Sequence, residues 1–130
     1  MRIRMLLAGV MISNAALFFF AALLHAGIAL GRLHEPQIIP ATIVEVICGT
    51  FLARGALAVF NHWAGERGLA WTGNLVALGG VALGMAALAA GRGPRTASND
   101  LYHRLMLALL AASFVILFLM RNSARSPRTH

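Results

Sequence analysis

The chain has 130 residues, 59% of them hydrophobic and 12% charged, with a mean hydropathy of +0.76 and a formal net charge of +7. A soluble domain of that size needs a polar skin over much of its surface, and this composition cannot supply one. The positive charge does not point to nucleic acid, because all eleven basic residues are arginines set mainly at the ends of apolar runs, the pattern that anchors membrane helices.

Four apolar runs account for nearly the whole chain: 5–31, 38–60, 69–91 and 101–120. Each reaches the roughly 20 residues that a helix needs to cross about 30 Å of hydrocarbon. Their length and the lack of two-residue alternation predict helices, which satisfy their own backbone hydrogen bonds. The expected fold class is all-α, a polytopic membrane protein with a four-transmembrane-helix bundle over 1–120. A basic, disordered tail is expected over 121–130.

The first run follows Arg2 and Arg4 and exceeds the roughly 7–15 residues of a signal-peptide core, so it is read as an uncleaved helix. Asn14 and His25 lie about three turns apart on one of its faces, and Gly27 and Gly31 offer small packing positions near its end. The connection 32–37 carries His34 and Glu35 and leads to Pro40, which suits the first turn of a helix. In the second run Glu45, Gly49, Ala53 and Ala56 fall within about a quarter turn of one another, which aims Glu45 at the bundle interior. Arg54 falls on the opposite face roughly 13 Å deeper and is read as snorkelling to the nearer surface, with Asn74 its partner if it faces inward. Cys48 is the single cysteine, so no intrachain disulfide can form.

The connection 61–68 places His62, Glu66 and Arg67 between Trp63 and Trp71, whose rings mark one headgroup level. In the third run Gly73, Ala77, Gly80, Gly84, Ala87 and Gly91 recur at spacings of four and three. Such a face suits close packing within the bundle or, alternatively, homodimerisation. The connection 92–100 contains Gly93–Pro94 and a Ser98–Asn99–Asp100 group expected to cap the fourth helix. Tyr102 marks the other headgroup level, and Ser13 and Ser113 are expected to bond back to their own helices. The third helix is expected to be packing surface and the fourth mostly lipid-facing.

Four crossings put both termini on one side, together with Arg2, Arg4, Arg67, Arg121, Arg125 and Arg128; the other side holds Arg32, Arg92, Arg95 and Arg104. That excess predicts a multi-pass protein of the cell inner membrane with cytoplasmic termini. Ionisable residues inside hydrocarbon are costly, which singles out His25, Glu45 and Arg54. His25 and Glu45 are about equally far from the first turn, so an antiparallel hairpin sets them at similar depth. Burial and a charged neighbour act on a carboxyl in opposite directions, and such a couple could share or relay a proton near neutral pH. The alternative is a structural hydrogen bond between helices. Above the pair, His34, Glu35, Asp100 and His103 form an outer polar cluster that could admit protons or a metal, although no two have a recognised ligand spacing. No metal site, catalytic residue or soluble-enzyme motif is identified.

The segment Glu45–Val46–Ile47–Cys48–Gly49–Thr50–Phe51–Leu52, preceded by Pro40–Ala41, resembles the DoxX-like family of small four-helix bacterial membrane proteins. The likeness extends to chain length, helix count and His25–Ala26–Gly27, and it departs from the pattern where Cys48 precedes Gly49. It carries over only Glu45 and Gly49, and it implies a non-enzymatic partner or accessory subunit of a membrane redox or transport assembly. Two other readings keep the same pair: a small proton-coupled transporter or channel, expected to act as an oligomer, and a quinone-binding membrane subunit. The expected partners are the lipid bilayer and either further copies of the chain or a larger membrane complex.

Overall fold

A computed structural model of the chain describes residues 2–31, 33–93 and 96–123. It contains four helices: α1 Arg2–His25, α2 Ile39–Phe60, α3 Glu66–Ala89 and α4 Ala97–Ser123. All four are long and apolar enough to cross a membrane, and no strand is present among the described residues. The protein is thus an all-α, multi-pass four-helix bundle. Consecutive helices pack side by side in ring order, most extensively α1 on α2 and α2 on α3, and α4 closes the ring against both α1 and α3. The core is filled by Leu7, Met11, Phe18, Leu52, Met106 and Leu110. Large side chains also cover the outside, where Leu83, Leu101 and Val115 are each more than half exposed. An exterior of that kind is stable against lipid rather than water.

The helix ends differ from the sequence expectation for identifiable reasons. α1 stops at His25, six residues before Gly31, because Gly27 takes a left-handed φ of +89°. The Ile28 N–H then bonds to the Leu23 carbonyl and the Gly27 N–H to the Leu24 carbonyl, a Schellman stop. α3 ends the same way at Gly91, with bonds from Arg92 to Ala87 and from Gly91 to Leu88. Gly27, Gly31 and Gly91, expected as helix-packing positions, therefore lie in turns. α3 begins three residues early, at Glu66, whose carboxylate favours the positive end of the helix. α4 begins at Ala97, where the Thr96 hydroxyl accepts from the Asn99 N–H; Ser98, Asn99 and Asp100, expected as the cap, sit inside its first turn.

Burial corrects the expected division of labour between the last two helices. Within the apolar 18-residue stretch of each helix, 22% of residues are buried in α3, against 39% in α4 and 44% each in α1 and α2. Small residues let α3 approach its neighbours along a narrow strip, which leaves Leu75, Leu78 and Leu83 outside. α4 instead turns Met106, Leu110, Leu117 and Met120 inward. α4 continues through Ser123, and the tail from 124 onward, like Pro94 and the arginines at 32, 95, 125 and 128, lies outside the described residues.

Candidate functional site

The last residue of α1 and the second turn of α2 meet at the end of the bundle opposite the N-terminus. The connection between α1 and α2 (loop 1, described over 26–31 and 33–38) returns the chain on itself there: the Ile38 N–H donates to the His25 carbonyl at 2.8 Å, and the Gln37 amide donates to the Ala26 carbonyl at 3.2 Å. Those bonds fix the end of α1 against the start of α2. His25 Nδ1 then lies 2.9 Å from each carboxylate oxygen of Glu45, and both residues are only 6% exposed. One turn further along α2, Gly49 makes room for Phe19 of α1, whose ring would stand 3.0 Å from a Cβ at that position. The glycine therefore permits the close hairpin that brings the pair together. A buried carboxylate facing a buried imidazole can form a mutually neutralising ion pair, and that contact puts a titratable couple where water is scarce.

Glu35 has a separate task. It is buried, accepts from the Thr96 hydroxyl at 3.0 and 3.1 Å and also from the Ser98 hydroxyl, and so latches loop 1 onto the N-terminus of α4. A carboxylate there complements the helix dipole. His103 donates from Nδ1 to the Asn99 carbonyl at 2.8 Å, and its Nε2 packs against α3, where a Cβ on Gly84 would come within 2.8 Å of it. His34 and Asp100 are exposed. The outer cluster is thus divided among separate duties, and among the described residues no three His, Cys, Asp or Glu side chains converge.

The remaining candidates do not join the pair. Arg54 is exposed on the outside of α2, and the Asn74 amide donates back to the Ala70 carbonyl at 2.9 Å instead of meeting it. Asn14 is fully buried with neither amide atom partnered, about 16 Å along α1 from His25. Ser113, expected to bond back to its helix, is likewise buried with its hydroxyl unpartnered. Gly73 and Gly80 do serve packing: Gly73 lies against the Phe51 carbonyl and Gly80 against Cys48, whose thiol donates to the Val76 carbonyl at 3.6 Å.

Two features escaped the sequence reading. At the opposite end, Arg4 forms an ion pair of 2.6 Å with Glu66 and also contacts His62, which takes a left-handed φ of +54° at the end of α2. The signal was available: α1 and α3 both begin on that side, so their first-turn residues share one level. The second feature is a cavity of about 210 Å³ between α1 and α4, roofed by Leu33 and Glu35 of loop 1 and bordered by His25 and Tyr102. Helical periodicity carries no information about gaps of this kind.

No protein-family model, curated protein or solved structure matches the chain, so its chemistry rests on this geometry.

Proposed function

We propose that this chain is a DoxX-like accessory subunit of a membrane redox or transport assembly in a bacterial inner membrane, and that His25 and Glu45 take up and release protons for it. Its termini lie in the cytoplasm, which sets the pair towards the outer face. The observation that carries the reading is the buried contact of one imidazole nitrogen with both oxygens of one carboxylate. The core along the rest of the bundle, built of Leu7, Met11, Phe18, Leu52, Met106 and Leu110, favours a subunit over a self-contained transporter. Its polar side chains, Asn14, Asn74 and Ser113, are not linked to the pair by any hydrogen bond among the described residues. Among the described residues no chain of hydrogen-bonded side chains crosses the bundle, which favours a pair that exchanges protons with one side.

The test is isolation of the native assembly in mild detergent from cells carrying wild type, Glu45→Gln or Glu66→Gln. The expected result is co-purification of all three forms with a larger complex, and loss of its proton-coupled activity in Glu45→Gln alone. Full activity in Glu45→Gln would sink the proton-handling role, and a chain that never co-purifies would sink the subunit role.

A further inference from the structure

The bundle end that carries the N-terminus holds an open crevice of about 510 Å³, lined by Arg4 of α1, by His62, Trp63 and Gly65 of the connection between α2 and α3, and by Glu66 and Arg67 of α3. The carboxylate in its wall is already spent: Glu66 pairs with Arg4 at 2.6 Å, and its side chain is 11% exposed. Arg4 also contacts His62 Nδ1. An arginine only donates, so that contact makes Nδ1 the acceptor and leaves the ring proton of His62 on Nε2, as a donor. Arg67 is exposed and has no partner among the described residues. With Arg4 offset by Glu66, the charge of Arg67 stands uncompensated. The neighbours in the chain place the crevice at the membrane surface. Met5 and Leu6 follow Arg4, Phe60 lies just before His62, and all three are at least half exposed, as side chains that meet acyl chains are. Trp63, also exposed, is of the type that settles at headgroup level.

We propose that this crevice seats the phosphate of an anionic phospholipid from the leaflet on the N-terminal side, with Arg67 as its main contact and Arg4 and His62 as further donors. A phosphodiester carries one negative charge, which matches the one uncompensated arginine, and charge-assisted hydrogen bonds to arginine are among the stronger ones. A zwitterionic head brings no net charge, and its ammonium would lie beside Arg4 and Arg67. Basic pockets between transmembrane helices at one membrane face hold anionic heads in this way. The bilayer is the source because a soluble phosphate gains nothing from Trp63 or from the exposed Met5, Leu6 and Phe60, whereas the acyl chains of a lipid continue along such side chains. Glu66 serves as a positioning residue: its pair with Arg4 fixes the guanidinium in the crevice wall.

The chain has two tryptophans, so Trp71→Phe leaves Trp63 as the sole tryptophan and a reporter in the crevice wall. The protein is placed in phosphatidylcholine bilayers that contain, at equal low mole fraction, phosphatidylglycerol or phosphatidylcholine brominated high on the acyl chain. Bromine quenches only the indoles it meets, so stronger quenching by the brominated phosphatidylglycerol measures its enrichment at the crevice. That enrichment is expected, and wild type with both tryptophans should rank the two lipids in the same order. Arg67→Gln should lower the affinity for phosphatidylglycerol about fivefold, the worth of one basic residue near an anionic surface. Arg121→Gln removes an exposed arginine at the same end but outside the crevice, and should leave the enrichment unchanged. Circular dichroism checks that each variant keeps its helicity. Inorganic phosphate, against chloride of equal ionic strength, should not relieve the quenching. Equal quenching by the two lipids overturns the proposal. So does an equal loss in Arg67→Gln and Arg121→Gln, which reduces the effect to diffuse surface charge. Relief of quenching by inorganic phosphate assigns the crevice to soluble phosphate and overturns the lipid source.

Discussion

Replacing His25 and Glu45 by alanine, singly and together, tests whether the two form a buried ion pair or an ordinary interhelical hydrogen bond. Both residues are 6% exposed, and both carboxylate oxygens sit 2.9 Å from the same nitrogen. Removing one partner leaves the other without compensation, which costs about 3–5 kcal/mol for buried pairs. His25 is the last residue of its helix, and Glu45 lies only about 9 Å along α2 from its start, so water can partly relieve an orphaned charge. The lower end applies, about 3 kcal/mol for each single variant. The double variant leaves no charge behind and loses packing alone. Its cost falls short of the sum by a coupling energy of about 2 kcal/mol, against an average of about 0.6 kcal/mol for interhelical hydrogen bonds in membranes. The assay is reversible unfolding in mixed micelles, followed by circular dichroism, for the four forms of the cycle. Coupling at or below about 0.6 kcal/mol would reduce the pair to an ordinary hydrogen bond and remove the electrostatic basis for proton handling.

Two further outcomes follow from the packing. Gly73→Ala places a Cβ 2.7 Å from the Phe51 carbonyl oxygen and 3.3 Å from the Leu52 Cα, backbone atoms that cannot swing aside, and should destabilise by about 1–3 kcal/mol. Gly79→Ala on the same helix meets nothing within 4 Å and should stabilise by about 0.5–1 kcal/mol; equal effects at the two sites would refute the close α2–α3 approach. Arg4→Ala should cost about 1 kcal/mol at low salt, since the Arg4 and Glu66 side chains are 32% and 11% exposed, and less at high salt. A salt-independent loss would mean that Arg4 contributes packing rather than charge.

The helices were legible in the sequence because uninterrupted apolar length is a strong signal, and the depth match of His25 with Glu45 followed from counting outward from one turn. What was not legible depended on conformation at single residues. Gly27 and Gly91 carry the same side chain as Gly73 and Gly80, yet a left-handed φ makes the first two helix stops, whereas close backbone approach makes the second two contacts. The small-residue repeat on α3 marked where that helix touches its neighbours but not how much of it does. A narrow strip and a broad face give the same spacing. Glu35 and His103 read as members of one outer polar cluster because their partners, Thr96, Ser98 and Gly84, lie more than ten residues away or on another helix.

The positions of those partners bear on what the pair is for. α4 packs less extensively on α1 and α3 than α2 does. At the loop 1 end it is held by polar contacts, the Glu35 latch on its first turn and the seat of His103 against Gly84. Each of these residues therefore has a structural duty that explains its cost. At the other end Arg4 and Glu66 tie the start of α1 to the start of α3, where headgroups and water are close. His25 and Glu45 differ from both groups. The α1–α2 hairpin around them is already secured by the Ile38–His25 backbone bond, the Gln37 contact and the Phe19–Gly49 approach. Apolar side chains of similar volume could fill the space between the helices without the desolvation that two ionisable groups incur. The desolvation of this pair, placed where packing does not require it, is the ground on which we propose that it handles protons.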